Sequence, residues 1–220
     1  MKINLIKIAI VTSLVLVGSQ PGYSQGTFVN LDFESVIPPL NRDILFTVPI
    51  SNALPGWTGY INGNHVDRVM YNGEGLGGPS ISLESSLSPA YVPIQGSFSV
   101  YLKSSSDAGG TSAAISQTGQ VPNDARSILF LRTPDSGFGV SFGGQPISLV
   151  PFGTSGNYII MAGDISRFAG QTGQLLFAGG GLFDDIQFSN QAVPEPSVLG
   201  LSVIGGLLLA WRRWRNFSRP

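Results

Sequence analysis

Cysteine is absent from this chain, and histidine occurs once, at position 65. The first absence excludes a disulfide framework and a thiolate metal site. It does not fix the compartment, because an exported domain of this size manages without staples. The second absence narrows catalysis. A Ser–His–Asp enzyme needs its histidine beside a nucleophile on a tight elbow. No Gly-x-Ser-x-Gly occurs, and Gly153-Thr154-Ser155-Gly156-Asn157 breaks the pattern at its last position. One imidazole with a few carboxylates also falls short of the usual zinc set. His65 therefore reads as a loop residue.

Charge is scarce, at 11% of residues, and unevenly placed. Six of the 12 basic residues lie in the flanks: Lys2, Lys7, Arg212, Arg213, Arg215 and Arg219. Residues 25–192 keep six basic against twelve acidic residues, a net charge of −6. Such a body repels phosphate backbones, which argues against nucleic acid as a partner and suits cations. A sustained 3.6-residue apolar period is missing from 27 to 189 as well. The best helical candidate there, Ile165 to Ala169, has Asp164 as its cap and Gly170 as its stop, and amounts to one turn.

What is present begins with the two ends. Lys2 and Lys7 precede an apolar run, Ile8 to Val17, interrupted only by Thr12 and Ser13. Small and turn-forming residues follow, and Gly22-Tyr23-Ser24 suits a cut after Ser24. This order is that of a secretory signal peptide over residues 1–24. The alternative, an anchor helix, is disfavoured by the shortness of the run.

At the other end Val193-Pro194-Glu195-Pro196-Ser197 leads into fourteen uncharged residues, Val198 to Trp211, followed by Arg212-Arg213-Trp214-Arg215. As a helix that run would span about 21 Å, against a hydrocarbon core of ~30 Å. Trp211 and Trp214 suit the interface, and arginines after the run place its C-terminal side in the cytoplasm. The body then lies outside, on the far side of the membrane from the cytoplasm. An ordinary single-pass anchor would have the same topology.

Residues 193–215 resemble the PEP-CTERM sorting signal. The resemblance implies a Gram-negative host whose exosortase recognises Pro194, Glu195 and Pro196 at the inner membrane and removes the tail. Arg212, Arg213 and Arg215 complete the motif. Such proteins are commonly delivered to the cell surface or the extracellular matrix. The motif is acted upon and is not catalytic.

The body, residues 25–190, shows period-two patterning between turn residues. Ser97 to Lys103, Ile128 to Leu131, Gly139 to Phe142 and Phe183 to Phe188 are examples. Roughly ten such segments, near the 8–12-residue spacing of a sandwich, predict an all-β, antiparallel two-sheet domain. Gly-rich stretches at Asn72 to Gly78 and Gly179 to Gly181 are expected as end loops. The first is no dinucleotide loop, since no βαβ pattern surrounds it.

Four pieces resemble the galactose-binding-like jelly rolls of carbohydrate-binding modules. They are Asn30 to Glu34 as first strand, Leu54-Pro55-Gly56-Trp57 after it, Gln95 to Leu102 as a later strand and Leu182 to Ile186 as the closing strand. In such modules the first and last strands often share a structural Ca²⁺. The matching positions are Asp32, Glu34, Asp184 and Asp185, hard oxygen donors of the kind calcium takes. Strand alternation sends Asp184 and Asp185 to opposite faces, so Glu34 and Asp185 are the favoured pair; solvated strand-end charges are the plain alternative. Trp57, Tyr60, Tyr71, Tyr91 and Phe138 lie near turns, and for polysaccharide Trp57, Tyr60 and Tyr71 are the candidate stacking faces, although packing in the core or its rim is the better explanation for Trp57 and several of the tyrosines. The expectation is thus an exported, non-enzymatic surface protein that binds exopolysaccharide. A ligand-free structural envelope protein and a hydrolase working through paired carboxylates stand as the alternatives.

Overall fold

A computed structural model describes residues 23–24, 26–75, 77–104 and 112–193. The apolar run before Gly18 and the expected sorting tail from Pro194 onward, with its arginine cluster, lie outside these residues. Among the described residues no helix is long and apolar enough to cross a membrane.

The described chain is almost entirely strand. In order these are β1 (Tyr23–Ser24), β2 (Thr47–Pro49), β3 (Thr58–Ile61), β4 (Asn64–Val66), β5 (Arg68–Tyr71), β6 (Ser80–Ser85) and β7 (Phe98–Lys103). They continue as β8 (Ala113–Gln120), β9 (Ser127–Arg132), β10 (Gly137–Phe142), β11 (Gln145–Ile147), β12 (Leu149–Ser155), β13 (Tyr158–Asp164) and β14 (Thr172–Ser189). One helical turn, α1 (Ile50–Ala53), follows β2 and was not expected. The expected turn near 165 is a 3-10 helix, Ser166–Phe168, and Asp164 accepts the Ser166 N–H at 2.9 Å at its start. A cut after Ser24 would remove β1, which pairs with the end of β14.

Two sheets face each other. The first runs β12-β13-β9-β14-β7-β6-β5-β2, and the second joins β4, β3, β8, β14, β10 and β11. The pairing is antiparallel except between β5 and β6, which are parallel, correcting the expectation of a wholly antiparallel arrangement. The two sheets share β14. Its first half pairs with β8 and β10, and its second half with β7 and β9.

The switch falls at Gly179-Gly180-Gly181, so this stretch is a bend inside an 18-residue strand and not the end loop its composition suggested. Gly179 and Gly181 have φ of 138° and 130°, a region essentially closed to residues with a Cβ. A Cβ on Gly179 would run into the Gly137 carbonyl oxygen, and one on Gly181 into Ser136. Glycine here lets one strand serve two sheets.

Alternation fills the space between them. β7 sends Val100 and Leu102 inward, β9 sends Ile128 and Phe130, and β14 sends Leu175, Phe177 and Phe183. The aromatic centre is close-packed: Phe177 stacks on Phe183 at 5.1 Å, and Phe130 meets Phe177 edge-on at 5.2 Å. Burying each such ring fully contributes about 2–3 kcal/mol.

The segment read as a first strand, Asn30 to Glu34, is a turn-rich strap that closes one side of this core. Phe28, Leu31 and Phe33 are buried, which explains the strand-like pattern. Side chains satisfy the backbone in place of a ladder. The Gln117 amide accepts the Val29 N–H at 2.6 Å and donates to the Val29 carbonyl at 2.9 Å. Asn30 and Phe33 take positive φ, which a strand forbids.

Candidate functional site

Trp57 is buried at 4% exposure, and its indole N–H donates to the Asn30 carbonyl at 2.9 Å. Its ring packs on Phe33 and Phe177. It is a core residue that anchors the strap, and it offers no face to a sugar. Tyr60 lies on the β3–β4 hairpin, edge-on to His65 across the pair at 6.3 Å. His65 is exposed and sits 3.3 Å from Asp67. Tyr71 packs against the core and borders a surface hollow of about 680 Å³ with Phe46, Met70, Leu87 and Glu74. The three expected stacking residues therefore do not share a site.

The acidic set is brought partly together. The Ile186 N–H donates to the Leu31 carbonyl at 3.0 Å, so the strap does lie beside the closing strand. Glu34 Oε1 accepts the N–H groups of Ser97 and Phe98 at 2.8 and 3.0 Å. Asp32 accepts the Glu34 N–H at 3.4 Å. Asp185 sits in a bulge with φ of 52°, and both its oxygens accept from the Gln187 amide at 2.7 Å. Among the described residues no group of three or more such side chains is placed to hold a metal. Most of these oxygens already accept N–H donors, so a cation here would share them, and nothing below is routed through calcium.

Asp184 faces away from the core and is buried nonetheless, at 1% exposure. Oδ2 accepts the Ser99 hydroxyl at 2.6 Å and the Gln95 N–H at 3.1 Å, and Oδ1 accepts the Asp185 N–H at 2.7 Å. Burial outweighs these three donors and raises the carboxyl to about 7.

Glu84 stands opposite Ser99 in the β6–β7 register and is wholly buried. Neither of its oxygens has a hydrogen-bond partner of normal geometry. Burial pushes its carboxyl up, opposed by the nearby hydroxyls of Ser82 and Ser88 and by the Gly73 N–H. What covers this outer face is the irregular segment 86–97. The Ile94 N–H donates to Ser99 at 2.8 Å, and the carboxylates of Asp184 and Glu34 hold the segment's far end.

That segment also brings Tyr91 onto Tyr101 of β7. The rings stack at 4.3 Å with planes 23° apart. The Tyr91 hydroxyl donates to Glu74 Oε1 at 2.5 Å, and burial followed by this bond holds the phenol above its ordinary range. Glu74 is lowered, first by the Tyr91 hydroxyl and then by Lys103, whose Nζ lies 3.2 Å away. Beyond the pair opens a cleft of about 460 Å³, bordered by Tyr91, Tyr101, Lys103, Ser104, Thr133, Asp135 and the Gly180-Gly181 bend. A half-buried aromatic wall with hydroxyl, ammonium and carboxylate groups around it is an arrangement that stacks on sugar C–H faces and hydrogen-bonds their hydroxyls.

Sequence reasoning weighed Tyr91 as one turn aromatic among several and passed over Tyr101. The outward alternation Ser99, Tyr101, Lys103 in β7 was the available signal. A larger hollow, about 930 Å³, lies where β14 leads out toward residue 193. It is lined by Asn123 to Arg126, Ser148, Val150, Asp164 and Val193, with no aromatic ring.

No family model and no curated protein matches the chain. Among solved structures it is similar to the apo form of a cyclase from Fischerella sp., at 14% identity and a TM-score of 0.41, over 77% of this chain and 96% of that one. A cyclase from Fischerella sp. TAU is similar at 15% identity and a TM-score of 0.39, over 77% and 97%. Both neighbours are named as enzymes, and on that finding the expectation that this chain is not an enzyme is withdrawn. At these scores the likeness gives the chain no reaction of its own.

Proposed function

We propose that this is an exported envelope protein, delivered to the cell surface or extracellular matrix by an exosortase-type system, whose β-domain binds polysaccharide in the Tyr91–Tyr101 cleft. The Pro194-Glu195-Pro196 segment, the apolar run and the arginines after it support the sorting half. Under this reading the inner membrane holds the C-terminal run before processing. The carbohydrate half rests on one observation: the stacked tyrosines at 4.3 Å that wall a cleft rimmed by polar groups. The facing sheets joined through β14 favour a jelly-roll sandwich as its scaffold.

Two measurements test the proposal. Intact mass of the protein from its native envelope is expected to show loss of residues 1–24 and of the segment after the Pro-Glu-Pro motif. The full mass in the cytosolic fraction would contradict the sorting half. Retention of the purified domain on the host's own exopolysaccharide is expected, and Tyr101→Ala is expected to abolish it. Failure to bind any glycan would leave a surface protein without this ligand.

A further inference from the structure

The polar rim of the cleft has an unequal charge supply. Lys103 is its cation, and that ammonium is engaged twice, by Glu74 Oε2 at 3.2 Å and by the Gly75 carbonyl at 3.1 Å. The next cation along the neighbouring turn, Arg132, gives one guanidinium nitrogen to three carbonyls, those of Thr133, Pro134 and Ser136, at 3.0, 3.0 and 2.5 Å. The Lys103 charge is thus offset by the Glu74 carboxylate, while the Arg132 nitrogen is turned to backbone carbonyls of its own turn and away from the cleft's border.

The negative charge is free. Asp135 is exposed on the turn between β9 and β10, and among the described residues it has no hydrogen bond or ion pair. A carboxylate accepts from two donors at once and offers none, which matches a pair of adjacent sugar hydroxyls. Around it the body carries a net −6. A uronate or sulfate approaching this rim meets like charge on Asp135 and across the domain, and the cation that borders the cleft, Lys103, is already paired with Glu74.

We infer that the cleft selects uncharged polysaccharide, with Asp135 as the residue that reads a hydroxyl pair and turns acidic polymers away. The inference rests on the carbohydrate reading above and adds the ligand class. Neutral glycan lies against the Tyr91–Tyr101 wall, and its hydroxyls point to Asp135 and Thr133. Binding of this kind is nearly independent of salt, because no ion pair forms.

Affinity electrophoresis of the purified domain through gels holding laminarin, mannan or dextran, and in parallel alginate or polygalacturonate, tests this. Retardation by at least one neutral polymer and by neither acidic one is expected, unchanged at high salt. Asp135→Asn should weaken the neutral interaction about tenfold, equivalent to about 1.4 kcal/mol, without lowering Tm. Asp135→Lys should let alginate bind. Retardation by the acidic polymers at least as strong as by the neutral ones, or an Asp135→Asn domain that binds like wild type, overturns the inference while leaving polysaccharide binding in place. Retardation by no polymer overturns both.

Discussion

The strand β7 has two faces, and they obey different rules. Its inward residues, Val100 and Leu102, join an aromatic core that is dry and apolar. Its outward residues, Ser99, Tyr101 and Lys103, meet a second, polar interior formed where segment 86–97 folds over the sheet. At Ser99 the second interior is as closed as the first, since Val100 and Ser99 are both at 0% exposure, while Tyr101 and Lys103 are half-buried at its edge. The first is held by contact area that any well-shaped apolar side chain supplies. The second is held by carboxylates on N–H and O–H donors, and there a missing partner is expensive. Fold and site separate along this line, since the apolar interior fixes the sheets and the polar one positions the Tyr91–Tyr101 wall.

Breaking the apolar side gives the largest effect. Phe183→Ala, removing the ring shared by Phe33, Phe130, Phe138 and Phe177, is expected to cost about 3–5 kcal/mol in chemical denaturation. A loss under ~1 kcal/mol would mean the two sheets are not packed as described.

The polar side responds to pH instead. Asp184 is raised from 3.8 to about 7 in the folded state, so the folded protein holds a proton that the unfolded chain releases. Its contribution is present in full below pH 3.8 and is lost as pH rises through about 7. Across that window wild type is expected to lose up to about 4 kcal/mol from this group. Asp184→Asn, which cannot titrate, should remove this part of the loss and leave the part due to Glu84, whose carboxyl burial also raises; an unchanged slope would place the proton elsewhere.

Smaller effects sharpen the contrast. Glu34→Ala leaves the Ser97 and Phe98 N–H groups without their acceptor. It is expected to cost about 1 kcal/mol and to speed hydrogen exchange in segment 94–98 before the core strands. Uniform exchange would show that the cover and the sheet open together. Calcium is expected to change Tm least. With the Asp184 and Asp185 oxygens serving N–H and O–H donors, adding the ion or a chelator should leave the melting curve in place. A clear rise with calcium would show that Glu34 and Asp185 exchange these bonds for a cation.

The β class was legible because period-two patterning records alternation directly, and Ser97 to Lys103 became β7 almost residue for residue. The Asn30 to Glu34 strap carried the same apolar pattern without being a strand. Its ladder is replaced by Gln117, Trp57 and Asn30, side chains distant in sequence or tied through positive φ. Gly179 to Gly181 read as a loop because composition reports conformational freedom and says nothing of the two sheets that use it. Trp57 was visible as an aromatic near a turn, but its burial depends on Phe33 and Phe177. The cleft was hidden for a similar reason. Tyr91 and Tyr101 are ten residues apart on a covering segment and a strand, and only the fold of 86–97 stacks them.

The most direct test of the account is where a glycan touches the domain. In an NMR titration of the isotopically labelled domain with soluble laminarin, mannan and dextran, ring resonances of Tyr91 and Tyr101 and amides near Thr133 to Gly137 should shift first and saturate together for the polymer that binds. Trp57 should stay still in the core. Shifts centred on any other surface, or none with every polymer while the domain remains folded, would contradict the claim that this cleft is the binding site.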